Sequence, residues 1–121
     1  MATGQRLAHF MQEVMSTVAE IDVASLQNGM DNPPVIIDVR ADKEWQEGYI
    51  PGAISMPRGT MEFHIEDHVP MADQAIVLYC GGGTRSALCA FNLQHMGYKN
   101  VKSLAGGFGA WRQAGYDVAY D

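Results

Sequence analysis

Residues 75–93 read AIVLYCGGGTRSALCAFNL, and the order of residue types in this stretch decides the fold. The uninterrupted apolar run at 75–79 is typical of a buried strand in a parallel sheet that is covered on both faces. Three glycines follow Cys80, and a helical pattern starts at Arg85 or Ser86. The stretch therefore predicts a strand, a tight loop and a helix, with a thiol as the first residue of the loop.

The predicted loop places Cys80 before a helix N-terminus, where the first amide N–H groups have no partner inside the helix. The helix macrodipole adds about half a positive charge there, and glycines at 81–83 let successive N–H groups converge on one point. Such a site stabilises a thiolate and binds anions. Arg85 adds a guanidinium fork suited to an oxyanion. The combination favours a nucleophilic cysteine and a small anionic substrate over a buried structural cysteine beside a flexible turn.

Strands and short helices alternate along the chain. The patterns predict strands at 19–21, 35–38, 54–56, 75–79 and 100–103, and helices at 5–17, 23–27, 43–46, 61–67, 85–95 and 110–113. Asp42 is the expected N-cap of the helix at 43–46. The alternation favours an α/β fold with a mostly parallel, five-stranded sheet covered by helices on both faces. Such sheets bind ligands at the carboxyl ends of their strands, which is where the Cys80 loop lies.

Apolar residues at helical spacing predict that the N-terminal helix is amphipathic. These residues are Leu7, Phe10, Met11, Val14, Met15 and Val18. The apolar stripe has two open interpretations, which are packing on the chain's own domain and contact with a second copy or another partner. The chain is accordingly expected to be a monomer or a homodimer.

Three segments together resemble the rhodanese (thiosulfate sulfurtransferase) family. The loop at 80–86 is similar to that family's active-site loop. IIDVR at 36–40, with EW at 44–45 and GYIPGAI at 48–54, is similar to its N-terminal signature, and GGFGAW at 106–111 resembles its C-terminal signature. The resemblance runs from about residue 18 to residue 118. It implies a single rhodanese-like domain at 18–121, with residues 1–17 as a helical extension.

The resemblance implies a sulfurtransferase with Cys80 as the catalytic nucleophile. Its thiolate is expected to take the sulfane sulfur of thiosulfate or of a persulfide, carry it as a Cys80 persulfide, and pass it to cyanide, a thiol or a protein acceptor. Neither a metal nor another cofactor is expected. The expected substrate-binding residues are Gly81, Gly82, Gly83, Thr84, Arg85 and Ser86, joined by Arg58. Within this set, Arg85 is expected to hold the sulfonate end of the donor, whereas Asp38 and Arg40 are expected to support the loops structurally.

Two other functions are compatible with parts of the pattern. Related folds with a Cys-x5-Arg loop are phosphatases or arsenate reductases, but Cys80 and Arg85 are one residue closer and Tyr79 stands where a His would precede the cysteine. A non-catalytic or regulatory binding module is the second alternative. Inactive members of the resembling family typically lack the cysteine, whereas this chain keeps both Cys80 and Arg85.

Three further groups of chemically active residues have a structural interpretation. His64 and His68 are spaced to share a metal on one helix face, but no third ligand is evident, so a solvated face is expected. Cys89 could resolve an oxidised Cys80, although free cysteines are usually buried and inert. Glu44 is expected, like Asp38 and Arg40, to have a structural role and no direct part in the chemistry.

Size and charge limit the remaining function classes. The chain has 121 residues, which indicates one domain, and its net charge of −6 disfavours a nucleic-acid partner. Two cysteines are too few for a disulfide scaffold and fit a reducing compartment. No apolar run approaches the ~20 residues of a membrane span, and no secretory signal is recognisable. A cytoplasmic protein without a membrane partner is expected.

Overall fold

The computed structural model describes residues 4–121, so the first three residues of the expected extension lie outside the described part. Its strands are β1 (Ala19–Ile21), β2 (Val35–Asp38), β3 (Ile54–Ser55), β4 (Ile76–Tyr79) and β5 (Val101–Leu104). Its helices are α1 (Gln5–Thr17), α2 (Val23–Asn28), α3 (Asp42–Gln46), α4 (Met61–His68), α5 (Thr84–His95) and α6 (Gly107–Gln113). The strands form one parallel sheet in the order β1-β5-β4-β2-β3. The predicted α/β fold is confirmed.

The central strand β4 is buried on both faces, which explains its uninterrupted apolar sequence. Successive side chains of a strand point to opposite faces of the sheet. Ile76 and Leu78 accordingly lie in one core, with residues of α1, α4 and α5. Val77 and Tyr79 lie in a second core, with residues of α2 and α6. The loop that follows β4 therefore leaves from the middle of the sheet, with a packed layer on either side.

Helix α1 packs on its own domain, against α5. Val14 has no exposed surface and shares a core with Leu78, while the Phe10 and Phe91 rings meet edge to face with centroids 5.9 Å apart. Part of the apolar stripe stays in contact with solvent, since Leu7 is 60% exposed. Within residues 4–121, neither α1 nor any other helix has the length and apolar character needed to cross a membrane.

Two helix starts differ from the predictions. Asp42 is the first residue of α3 and not its cap. The N-cap is Ala41, whose N–H donates to the Glu44 carboxylate at 3.3 Å, so the acceptor at this end comes from inside the helix. Helix α6 begins at Gly107, three residues earlier than expected, because Gly106 and Gly107 turn the chain with φ angles of 74° and 59°. The remaining boundaries agree to within one residue.

We expect Val14→Ala to lower the free energy of unfolding by about 2 kcal/mol, because it leaves a cavity in the core shared by α1 and the sheet. Leu7→Ala, on the same helix but largely exposed, should change it by less than about 0.5 kcal/mol. Urea unfolding of the two variants beside the parent chain measures both effects. Equal, negligible effects would show that α1 is not part of the folded core in solution.

Candidate active site

Cys80 occupies the position predicted for it, between the end of β4 and the N-terminus of α5. It is 1% exposed, and its Sγ accepts hydrogen bonds from the N–H groups of Gly83 at 3.0 Å and Ser86 at 3.4 Å. Gly83 is the N-cap of α5 and has a φ of 108°, a backbone conformation that glycine adopts without strain. The glycine loop thus curls the first turn of α5 toward the sulfur, where the positive end of the helix favours the thiolate.

A buried pair of hydroxyl groups extends these contacts. Ser86 Oγ lies 3.4 Å from Cys80 Sγ and 2.8 Å from Ser103 Oγ, and both serines are fully buried. Ser103 stands opposite Leu78 in the pairing of β4 and β5, so the sheet register brings it to the site. When Cys80 is ionised, Ser86 can donate to the sulfur while Ser103 donates to Ser86. Sequence reasoning missed Ser103; its only signal was a hydroxyl in an otherwise apolar strand end.

Hydrogen bonding decides the ionisation of Cys80. Burial by itself raises the pKa of the thiol, because it disfavours the charged form. The Ser86 hydroxyl and the N–H groups of Ser86, Gly83 and Gly82 outweigh burial, and the pKa of Cys80 lies below its ordinary value. Cys89 shows the opposite balance, since burial raises its pKa to about 12. The two cysteines differ because only Cys80 lies at a helix N-terminus.

The start of α6 makes backbone hydrogen bonds to the Cys80 loop. The N–H of Phe108 donates to Cys80 O at 2.8 Å, and the N–H of Gly109 donates to Gly81 O at 3.0 Å. A Cβ on Gly107 would lie 2.7 Å from Gly81 O and closer still to Cys80 O, so no larger residue fits there. The glycines of the 106–111 segment therefore allow two backbones to approach closely, which fixes the path of the loop.

A buried ion pair lies beneath the loops. The Arg40 guanidinium contacts Asp38 through Nη2 at 2.7 Å and through Nε at 3.1 Å, and its Nη2 also donates to Gly48 O at 2.7 Å. The same guanidinium lies 4.3 Å from the centroid of the Phe108 ring. The pair thus connects the end of β2, the loop before β3 and the start of α6. Structural support of the loops by Asp38 and Arg40 stays a prediction, and these contacts are compatible with it.

Arg85 points toward Cys80 but is held by a carboxylate. Its Nη1 donates to Glu44 Oε1 at 2.7 Å and its Nη2 to Glu44 Oε2 at 3.0 Å, in a parallel two-point contact. The thiolate of Cys80 contributes to the raised pKa of Arg85, although Glu44 contributes more. Donor binding by Arg85 stays a prediction, and a donor would meet a guanidinium that already binds the Glu44 carboxylate.

The other predicted residues differ in how close they come to Cys80. Gly81, Gly82 and Gly83 form the loop itself. Thr84 is exposed on the first turn of α5, and the hydroxyl that reaches the sulfur belongs to Ser86. Arg58 is exposed, and its backbone N–H donates to Val39 O at 3.0 Å. Its electrostatic influence falls on Cys89, whose pKa it lowers slightly against the larger effect of burial.

The histidine pair has no further metal ligand nearby in the described part of the chain. His64 and His68 are both exposed on α4. Among residues 4–121, no three His, Cys, Asp or Glu side chains are grouped closely enough to hold a metal ion.

Comparison with known proteins gives the family. The family described as Rhodanese-like domain matches residues 22–114, and this chain belongs to it. A sulfurtransferase from Allochromatium vinosum is 31% identical over 103 residues, which cover 84% of this chain and 94% of that protein. The thiosulfate sulfurtransferase GlpE from Pseudoalteromonas translucida is 32% identical over 96 residues, covering 78% of this chain and 89% of that protein.

Other relatives carry different names. A solved structure from Rhodopseudomonas palustris, described as a protein of unknown function and possible tyrosine phosphatase, is 38% identical with a TM-score of 0.78, and 89% of each chain is covered. Several curated relatives are longer proteins called tRNA uridine(34) hydroxylases. The match covers 27% of the one from Erwinia tasmaniensis and 24% of the one from Pectobacterium carotovorum. The family is therefore shared by proteins with several names.

We expect Ser86→Ala to raise the pKa of Cys80, because the thiolate loses a hydroxyl donor. Only the thiolate is alkylated rapidly, so the pH profile of iodoacetamide labelling should shift to higher pH. Ser103→Ala should shift the profile in the same direction by less, since Ser103 acts through Ser86. Cys80→Ser supplies the background rate. An unchanged profile in Ser86→Ala would show that the hydroxyl does not stabilise the thiolate.

We expect Asp38→Asn to lower the free energy of unfolding by about 3 kcal/mol, because it leaves the buried Arg40 cation without its partner. The double variant Asp38→Asn with Arg40→Met should recover much of this loss, since it removes the unpaired charge as well. Denaturant unfolding of the single and double variants measures the coupling. Additive losses would contradict a coupled ion pair.

Proposed function

We propose that this member of the rhodanese-like domain family is a sulfurtransferase that carries a sulfane sulfur as a persulfide of Cys80. One observation carries the proposal. The Cys80 sulfur accepts two backbone hydrogen bonds from the N-terminal turn of α5 and lies within reach of the Ser86 hydroxyl, and these contacts hold its pKa below the ordinary value. A thiol in that environment is a nucleophile at neutral pH.

In the first half of the cycle, the Cys80 thiolate attacks the outer sulfur of the donor. A new S–S bond forms, the S–S bond of the donor breaks, and its electron pair leaves with sulfite from thiosulfate or with a thiolate from an organic persulfide. In the second half, cyanide or a thiolate attacks the terminal sulfur of the Cys80 persulfide and releases the Cys80 thiolate. Each step exchanges one S–S bond for another bond to sulfur, so no outside oxidant or reductant is required.

The loop is suited to hold the terminal sulfur between these two steps. A persulfide extends one S–S bond beyond Sγ and is itself anionic. The N–H groups of Thr84 and Arg85 belong to the first turn of α5, where backbone donors lack partners within the helix. We assign them to the terminal sulfur, while Gly83 and Ser86 keep their bonds to Sγ. The glycine side of the loop leaves space for the second sulfur, because Gly82 has no neighbouring atom within 4 Å of its Cβ position.

Phosphate chemistry is the weaker alternative for this loop. A phosphate ester would place several charged oxygens in a loop that is one residue shorter than Cys-x5-Arg. The guanidinium needed to bind those oxygens is already engaged by Glu44 at both terminal nitrogens. The lower charge and smaller size of a single sulfur fit the observed geometry better.

The test is the intact mass of the chain after incubation with thiosulfate or with glutathione persulfide. We expect the parent chain to gain one sulfur atom, which cyanide removes as thiocyanate. Cys80→Ser should gain none, whereas Cys89→Ala, which lacks the inert buried thiol, should load like the parent chain.

Three results would overturn the proposal. Sulfur on Cys80→Ser, or loss of loading in Cys89→Ala, would place the chemistry elsewhere. Absence of loading by either donor, together with hydrolysis of p-nitrophenyl phosphate that is lost in Cys80→Ser, would identify a phosphatase. Absence of both activities would favour a binding module.

A further inference from the structure

The positive charge of Arg85, next to the Cys80 loop, is paired with the carboxylate of Glu44. Arg85 and Glu44 form a two-point ion pair at 2.7 and 3.0 Å, and the two side chains are 37% and 36% exposed. The pair lies over the first half of the loop, since a Cβ on Gly81 would be 3.3 Å from Arg85 Nη2 and 3.8 Å from Glu44 Oε2. A donor that approaches Cys80 therefore meets both charges and not the guanidinium alone.

Glu44 is fixed in this position by its own helix. It is the third residue of α3, and its Oε1 also accepts the N–H of Ala41 at 3.3 Å. The hydrogen bond from Arg85 holds the pKa of Glu44 at about 2, so the carboxylate is charged throughout the working pH range of an enzyme. Both members of the pair are consequently charged at neutral pH.

Of the cations in residues 4–121, Arg85 is the one in ion-pair contact with Glu44. Arg40 also lowers the pKa of Glu44 through its charge, but less than Arg85 does, and Arg40 is itself neutralised by Asp38 in a buried pair; positions 81–83 have no side chains. Arg58 is exposed and acts on Cys89. With Cys80 ionised, the side chains of Cys80, Arg85 and Glu44 carry one thiolate, one guanidinium and one carboxylate, so their formal charges sum to a negative value before any donor arrives. The net charge of the whole chain, −6, has the same sign.

This charge balance discriminates between donors of sulfane sulfur. Thiosulfate brings two negative charges on a small ion, and both have to approach the thiolate and the Glu44 carboxylate. An organic persulfide brings at most one charge at its reacting end, and the carbon atom bonded to its sulfur is uncharged; other charges, such as those of glutathione, lie several bonds away. Coulomb repulsion scales with the charge of the donor, and it is weakly screened at distances shorter than about 8 Å.

We propose that Glu44 is a specificity-determining residue, which neutralises Arg85 and thereby sets this site for sulfane-sulfur donors of low charge, such as organic persulfides, over the thiosulfate dianion. The inference rests on the sulfurtransferase function proposed above and names the class of its donor. Glu44 acts through Arg85 and takes no part in the exchange of S–S bonds. Its removal should alter donor binding, seen in KM, more than the turnover of bound donor, seen in kcat.

The experiment compares donors that differ by one charge. Thiosulfate and methanethiosulfonate share the sulfonyl-bound sulfane sulfur, but a methyl group replaces one charged oxygen in the latter. The Cys80 thiolate takes the same sulfur from each, and sulfite or methanesulfinate leaves with the electron pair. N-acetylcysteamine persulfide adds a donor whose charge is confined to its sulfur. For each donor, kcat and KM are measured with cyanide as acceptor, on the parent chain and on Glu44→Gln.

We expect the parent chain to show a higher kcat/KM for methanethiosulfonate and for the persulfide than for thiosulfate. Glu44→Gln should raise kcat/KM for thiosulfate about tenfold relative to methanethiosulfonate, mainly through KM, since removing one charge at short range favours the dianion. Glu47→Gln, which removes the same charge from the exposed end of α3, should leave the ratio of the two donors unchanged. Because the ratio is taken within one protein sample, partial unfolding of a variant cancels from it.

The outcomes separate this inference from the function on which it rests. Loading of Cys80 by every donor, with a ratio that is the same in Glu44→Gln, would overturn the role of Glu44 and leave the sulfurtransferase standing. A parent chain that prefers thiosulfate would overturn it without any variant. Failure of all donors to load Cys80 would reject the sulfurtransferase and the donor selection together.

Discussion

The hydrogen bonds that the first turn of α5 donates to the sulfur of Cys80 are the interaction on which the site depends. They overcome the effect of burial and make a thiol with 1% exposure more acidic than an ordinary one. Cys89, nine residues later on the same helix, lacks them, and burial raises its pKa to about 12. The opposite pKa shifts of the two cysteines therefore follow from their positions relative to the start of α5 and not from the residue type.

Keeping those donors aligned requires close contact between two loops that are far apart in sequence. The start of α6 donates two backbone hydrogen bonds to Cys80 O and Gly81 O, and the absence of a side chain at Gly107 makes the approach possible. The buried pair of Asp38 and Arg40 then ties the end of β2 to the same region. The three segments that resemble family signatures are thus parts of one support for a single loop.

The two ion pairs near the site, Arg40 with Asp38 and Arg85 with Glu44, differ in their exposure to solvent. The Arg40 pair is buried, and its partners are backbone and an aromatic ring, so it acts on the position of loops. The Arg85 pair is more than a third exposed and lies beside Gly81 in the Cys80 loop. The guanidinium of Arg85, which the sequence pattern leaves without a partner, is therefore paired with Glu44 in the folded chain.

Much of this arrangement could be predicted from the sequence, and the reason is that it depends on local patterns. An apolar run, three glycines and a helical periodicity define β4, the loop and α5, and the alternation of elements predicts the parallel sheet. Helix starts at Asp42 and Gly107 were less predictable, because a carboxylate within the helix and two left-handed glycines set them.

Tertiary structure alone decided the contacts of Ser103 and Glu44. Strand register brings Ser103 beside Ser86, and the folding of α3 over the loop brings Glu44 to Arg85, 41 residues away. Both contacts join elements that are far apart in sequence, and no local sequence pattern predicts that these elements lie side by side.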